Sequence, residues 1–240
     1  MDLSTRITAE QAARLIDVSA VRTQNTLRDI EDVVGWAKKY RFINVHALPA
    51  WVPALVEMLK GVDGVYVGAP VGFPSGGHKT AVKLFEAEQL IEDGVEEMDI
   101  VMNVGKFIDG EYPYVQNELE KVISLARQAR RAILAKVIIE LNALTDAQAA
   151  DACKLVIATG ADFVKTGTGW IPGGANVDRI GLLKQVCGTA IKIKAAGGIR
   201  TPGEFLRLVA LGVERMGINT ASAVKIIDHL GAGRATEDFT

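Results

Sequence analysis

The sequence predicts an α/β chain folded as a (β/α)8 TIM barrel with an extra N-terminal helix, and three observations carry that expectation. Eight short apolar runs rich in β-forming residues recur along 240 residues, an average of 30 residues per unit, which is the length of one βα repeat. Stretches with helical periodicity separate the runs, and several of them end in glycine, the usual helix terminator. No GxGxxG follows the first run, which disfavours the alternative of an open doubly wound sheet. Alternating β and α elements imply a parallel sheet, and eight units close on themselves into a ring. Residues 1–240 are expected to form a single domain.

The elements follow in order. TAEQAARL (8–15) reads as the extra helix, capping the bottom of the barrel. Strands are expected at LIDVS (15–19), FINVHAL (42–48), GVYVGAPVGF (64–73) and EMDIVMNV (97–104). Four more are expected at ILAKVIIEL (133–141), DFVKTGTG (162–169), AIKIKAAGG (190–198) and ERMGINT (214–220). HKTAVKLFEAEQLIEDG, VQNELEKVISLARQARRA and TPGEFLRLVALG are among the helical stretches between them.

Composition narrows the function. Hydrophobic residues make up 49% of the chain, enough for a full core, and 27 Lys+Arg nearly balance 29 Asp+Glu. A formal net charge of -2 argues against a general nucleic-acid binder. The N-terminus interleaves charges without a signal-peptide core, and no apolar run approaches the ~18 residues of a membrane span. Cys153 and Cys187 fall in helical stretches and read as core thiols, with no disulfide framework, so a reducing cytoplasm is the expected location. His46, His78 and His229 are scattered, no His/Cys pair has zinc-site spacing, and neither a metal nor another cofactor is expected.

Barrel enzymes place their chemistry at the C-terminal ends of the strands, so ionisable residues inside the apolar runs are the candidates. Lys136, Lys165 and Lys194 stand in three consecutive runs, and a lysine in such a run is costly to bury as a cation. Clustered ammonium groups in a desolvated interior depress one another's pKa. A neutral amine at pH 7 is a nucleophile for carbonyls. The alternative is an anion site in which every lysine stays charged. Asp99 and Asp17 supply carboxylates, either to move protons during amine–carbonyl condensation or as plain ion-pair partners. AAGGIR (195–200) and GINTASA (217–223) follow the last two strands, where barrels commonly bind phosphate through backbone N–H groups. GTGW (167–170) offers a further amide, and a tight turn explains a Gly-Gly pair equally well. GFPSGGHK (72–79) lacks the GxxxxGK[ST] spacing and reads as a loop shaping the pocket mouth. Trp51 and Trp170 read as packing groups, while His46 is open between a site residue and a satisfied polar group.

In combination these motifs resemble a known family. LID near the start, GFP before a glycine-containing loop, EEMDIVMNVG, KVIIE followed by LTD, DFVKTGTG and KAAGGIR are similar, in order and spacing over roughly residues 10–225, to bacterial deoxyribose-phosphate aldolase. The resemblance implies a metal-independent class I aldolase on a (β/α)8 barrel. Such enzymes reversibly join acetaldehyde and glyceraldehyde 3-phosphate into 2-deoxyribose 5-phosphate, so the implied partner is a small phosphorylated sugar. It implies that Lys165 is the Schiff-base lysine, that Lys194 lowers its pKa and that Asp99 relays protons. The phosphate loops then fall on Gly197, Gly198, Asn219 and Thr220, with Gly169 contributing. Asp17, Lys136 and Thr168 are counted with the substrate-binding set.

The departures sit around the pocket. Where the family commonly has a cysteine in the second strand, this chain has His46, followed by Ala47, Leu48 and Pro49. DHT becomes Asp17, Val18, Ser19; KTST becomes Lys165, Thr166, Gly167, Thr168; KASGG becomes Lys194, Ala195, Ala196, Gly197, Gly198. The paired serines of the last loop become Asn219 and Thr220, and a terminal tyrosine found in some members is replaced by an ending in Phe239 and Thr240. The competing expectations are a Schiff-base aldolase for another short sugar phosphate and a sugar-phosphate-binding barrel without turnover. Self-association into a homo-oligomer is left open.

Overall fold

The structure, a computed structural model, describes residues 7–232; Phe239 and Thr240 lie outside the described residues. All eight expected runs are strands: β1 (Ile16–Ala20), β2 (Asn44–Ala47), β3 (Tyr66–Val71), β4 (Glu97–Val101), β5 (Leu134–Ile138), β6 (Phe163–Lys165), β7 (Lys192–Ala196) and β8 (Arg215–Asn219). Each pairs in parallel with the next, and β8 pairs with β1 to close the barrel. The helices are α1 (Ala9–Ala13), α2 (Leu27–Tyr40), α3 (Val52–Leu59), α4 (Thr80–Asp93), α5 (Val104–Ile108) and α6 (Tyr112–Gln128), then α7 (Asp146–Ala158), α8 (Val177–Cys187), α9 (Pro202–Ala210) and α10 (Thr220–Gly231). No helix among the described residues is long and apolar enough to cross a membrane.

Local signals set the ends. Thr8, Thr145 and Thr201 each cap a helix, and in each case the Gln or Glu three residues on reaches back to the cap backbone. Asn176 and Asn219 cap α8 and α10 through their side-chain oxygens. Gly94 ends α4 with φ 96°, a conformation that costs a residue with a Cβ. The extra helix is α1, shorter than expected, with Ala12 and Ala13 buried. Just beyond it, Arg14 donates to the carbonyls of Arg41 and Gly64 at the bottom of the barrel. β6 is only three residues long, because the chain after Lys165 leaves the sheet to form the 166–169 turn.

The sheet separates two interiors. Side chains alternate along each strand. Val18, Val45, Val67, Ile100, Val137, Val164, Ile193 and Met216 point outward and are buried under the helices. Inside the ring, where bulky aliphatic side chains usually fill a barrel, lie Asp17, Asn44, His46, Glu97, Asp99, Lys136, Lys165, Lys194 and Arg215, all buried. The core that holds the fold together is therefore the shell between sheet and helices.

One ion pair lies in that shell. Lys83 on α4 donates to Glu118 on α6 at 2.5 Å and to the Val101 carbonyl at 2.8 Å, and Thr80 donates to the second Glu118 oxygen at 2.8 Å. Both charged side chains are wholly buried, so removing one partner strands the other charge. Lys83→Met is expected to cost about 3–5 kcal/mol, on the order of 10 °C in Tm for a chain of this size. Lys83→Met with Glu118→Leu should recover most of that loss. Circular dichroism melting of the two variants against the parent checks this; a single variant melting with the parent refutes it.

Candidate active site

A cleft of about 740 Å³ opens at the C-terminal ends of the strands. This is ample for a small sugar phosphate. Asp17, His46, Asp99, Lys165 and Lys194 form its floor, and Thr168, Gly169, Gly197, Gly198, Asn219 and Thr220 stand around it. The structure thus brings together every candidate from the sequence except one. Lys136 does not reach the cleft: it is wholly buried, with Nζ against Glu97, 3.2 Å from Asp99 Oδ1 and 3.6 Å from Asp17 Oδ2. The expectation that it binds substrate is corrected to a place beneath the floor. Its position on β5, deep in the ring, leaves its ammonium no route past these carboxylates.

The floor is a web of charge. Asp99 Oδ2 accepts from Lys165 Nζ and from Lys194 Nζ, 2.8 Å each. Asp17 Oδ2 lies 2.6 Å from Lys194 Nζ, and Asp17 Oδ1 accepts from Arg215. Glu97 takes Arg215 at 2.8 Å on one oxygen and Lys136 on the other. Formally, three carboxylates face four cations.

Electrostatics follow from that geometry. Burial alone would raise the pKa of Asp99, but His46, Lys136, Lys165 and Lys194 together hold it well below the usual carboxylate range. Asp17 is likewise held ionised against burial by Lys194, Lys136 and Arg215. Lys136 and Arg215 are raised, because the carboxylates around them outweigh the burial penalty. Lys194 goes the other way. Desolvation pushes it down to about 8, against the pull of Asp17 and Asp99, with Lys136 and Lys165 adding to the depression. Of the three lysines, Lys165 stands highest in the cleft, with 9% exposure against 2% for Lys194 and none for Lys136.

The rim is built by loops. Gly197 and Gly198 follow β7 with φ 97° and 74°, and a Cβ on Gly198 would lie 3.1 Å from the Gly174 Cα. Asn219 places the N-terminus of the 12-residue α10 at the cleft, where unpaired N–H groups and the helix dipole favour an anion. The 166–169 turn is held by Glu140, which accepts from the Thr168 hydroxyl at 2.5 Å and from its backbone N–H. Arg22 donates to the Gly169 carbonyl at 3.2 Å and lies 5.8 Å from the Trp170 ring, which packs edge-on against Phe73 of the 72–79 loop. Cys153 and Cys187 are buried, unbridged and away from the cleft.

Four residues were missed in the sequence. Glu97 is two before Asp99, and Arg215 is two before Gly217, so strand parity was a signal for both. Glu140 sits inside KVIIE, and its left-handed φ of 52° carries no sequence mark. Arg22 lies in a loop, where no pattern points to the cleft. His46, left open between two readings, faces Asp99 at 3.1 Å.

A model of the DeoC/LacD aldolase family matches residues 66–225, the span that carries Asp99, Lys136, Lys165, Lys194 and both glycine loops. The chain belongs to this aldolase family. It is 41% identical to the deoxyribose-phosphate aldolase of Rhizobium meliloti (strain 1021) over 92% of this chain and 87% of that one. It is 40% identical to that of Caldicellulosiruptor saccharolyticus over 92% and 99%. The fold superimposes on the tetrameric deoxyribose phosphate aldolase of Aeropyrum pernix with a TM-score of 0.86, 26% identity and coverage of 95% and 96%.

Arg215 tests the web through pH. Arg215→Met leaves Asp17 Oδ1 and Glu97 Oε1 without their donor, while Lys194 and Lys136 keep the other oxygens, and is expected to cost about 1–3 kcal/mol at pH 7. Asp17 has its folded pKa depressed from the ordinary 3.8. The stability it contributes is therefore present above that value and is lost as pH falls below it. The deficit of the variant should narrow as pH drops through about 4. Denaturant unfolding at several pH values measures this, and a deficit that widens in acid refutes it.

Proposed function

We propose that this chain is a class I aldolase that reversibly cleaves 2-deoxyribose 5-phosphate to acetaldehyde and glyceraldehyde 3-phosphate through a Schiff base on Lys165. The observation that carries the reading is one carboxylate oxygen, Asp99 Oδ2, bridging Lys165 and Lys194 at 2.8 Å each on the floor of the cleft. The relatives' names supply the substrate.

The residues divide the work as follows. Lys194 sheds its proton as pH passes about 8. Because Asp99 Oδ2 touches both amines, it can pass a proton from Lys165 to a neutral Lys194 and leave the free amine at the cleft. That amine attacks C1 of the open-chain sugar to form a carbinolamine, and loss of water gives the protonated imine. Removal of the C3 hydroxyl proton then breaks the C2–C3 bond, turning sugar C3 into the aldehyde carbon of glyceraldehyde 3-phosphate and sending the electron pair into an enamine. Protonation at C2 and hydrolysis of the imine release acetaldehyde and restore Lys165. Asp99 and Lys194 are the groups placed to carry these protons. The N–H groups at Gly198 and the start of α10 hold the phosphate, and Arg22 brings positive charge to the same mouth. Thr168 acts through the turn it shares with Glu140. Asp17 orients Lys194.

The chain is assigned to a reducing cytoplasm on its two adjacent unbridged thiols. It is assigned to a homo-oligomer on the tetrameric relative and on Val82 and Phe85 of α4, 49% and 63% exposed.

Borohydride added with substrate should leave one covalent adduct on Lys165, read by peptide mass spectrometry, and Lys165→Arg should abolish turnover because a guanidinium keeps its proton. An adduct on Lys194 alone overturns the assignment.

Lys194→Leu removes the site that receives the proton. Activity should fall on the order of 10²-fold or more. A neutral amine is the reactive form, so activity rises with pH, and without Lys194 that rise should move to more alkaline pH. A pH–rate profile unchanged from the parent's would show that Lys194 is structural.

Omitting the 5-phosphate should lower kcat/KM by about 10–100-fold for each charge-assisted hydrogen bond lost, mostly through KM. Equal efficiency on 2-deoxyribose and its phosphate refutes the phosphate loops.

A further inference from the structure

His46 has no counterpart in the proton steps above, yet the barrel makes unusual room for it. On β3 its register partner is Gly68. A Cβ on Gly68 would lie 2.3 Å from the imidazole Cε1, 2.5 Å from Nδ1 and 2.7 Å from Nε2. The ring therefore occupies the place of a side chain on the neighbouring strand, and only glycine leaves that place open. His46 is 4% exposed, and neither ring nitrogen makes an aligned hydrogen bond. A buried polar group of this kind costs stability unless it serves something.

What it faces is Asp99. Nε2 lies 3.1 Å from Asp99 Oδ1, the oxygen that does not touch the catalytic amines. Lys136 of β5 also approaches Oδ1, at 3.2 Å, but is more closely engaged by Glu97. Burial, with Lys194 of β7 and Lys136 adding to it, pushes the imidazole pKa down to about 4, against the pull of Asp99 on β4. The ring is thus neutral at neutral pH and carries one N–H. Only the tautomer with that hydrogen on Nε2 is attractive to Oδ1, since the other sets a lone pair against a carboxylate.

The geometry points to His46 as a positioning residue for Asp99: the polar edge of its ring, 3.1 Å from Oδ1 without an aligned hydrogen bond, braces that oxygen so that Oδ2 stays centred between Lys165 and Lys194. A carboxylate held at one oxygen can swing about its Cβ–Cγ bond. A swing of 1 Å separates Oδ2 from one of its two amines and interrupts proton transfer between them. A displacement of that size costs up to about 10²-fold in rate.

This inference rests on the Schiff-base reading, and one experiment on the purified full chain separates the two. His46→Phe keeps a ring without an N–H, His46→Gln returns a donor near the Nε2 position, and Gly68→Ala leaves His46 intact but expels its ring. Steady-state cleavage of 2-deoxyribose 5-phosphate and borohydride trapping are read for each. Expected are a kcat about 10–100-fold lower for His46→Phe and Gly68→Ala with KM within about twofold, and recovery of most of the loss in His46→Gln. Trapping should remain on Lys165 throughout. A kcat within about twofold of the parent in His46→Phe, or a His46→Gln no better than His46→Phe, overturns the positioning role. Absence of a Lys165 adduct in the parent overturns the Schiff-base reading instead.

Discussion

The structure depends on one constraint: a barrel interior filled with charge must come close to neutrality. Opposite charges at 4 Å in a medium of effective dielectric near 20 attract by about 4 kcal/mol, and an ion left unpaired in the interior costs several. Asp17, Glu97 and Asp99 face Lys136, Lys165, Lys194 and Arg215 within one connected set of contacts. The formal count leaves one cation in excess. A guanidinium cannot give up its proton, and Lys136 is raised by three carboxylates around it. Lys194 is the member pushed down, to about 8. That depression comes first from desolvation in the ring, with Lys136 and Lys165 adding to it against the pull of Asp17 and Asp99.

The chain separates this strained interior from what holds it together. Outward-facing valines and isoleucines of the strands pack under amphipathic helices, and that shell supplies the burial that drives folding. The ring is then free to carry polar residues at most inward positions of the floor. The mouth is separate again: its turns are set by glycines and by the contact of Glu140 with Thr168, so rim residues can differ without disturbing the ionic floor. Of the changed residues noted in the sequence, Ala196, Asn219 and Thr220 belong to the rim, whereas His46 lies in the floor.

Much of this was legible from period alone. Eight apolar runs at a thirty-residue average foretold eight strands, and charge inside those runs marked Lys165, Lys194, Asp99 and Asp17. Depth was not legible. Parity does not say how far below the cleft a side chain ends, so Lys136 looked equivalent to Lys165. Closure was expected, but not the contact that it makes: Arg215 reaches Asp17 across a separation of 198 residues, because β8 meets β1. Glu97, Lys83 and Glu118 were not singled out, because what sets them apart is burial, which the sequence does not show. His46 could not be decided because its role depends on an empty position, Gly68, on the next strand.

Depth also supports the proposal that the chemistry falls to Lys165. Down the ring, exposure goes from 9% at Lys165 to 2% at Lys194 and none at Lys136. Lys165 is the last residue of β6, the strand that ends soonest after its inward lysine. Two residues further on, the next inward position would be Gly167, already in the turn held by Glu140. One step down the ring, Lys194 is enclosed by two carboxylates and cannot meet a carbonyl carbon without leaving both. The boundary between the ionic floor and the cleft thus passes through one side chain, whose amine contacts the proton-carrying carboxylate below and the substrate space above. Lys194 also touches Asp99 and the cleft floor, but Lys165 is the more exposed of the two, which favours it as the nucleophile.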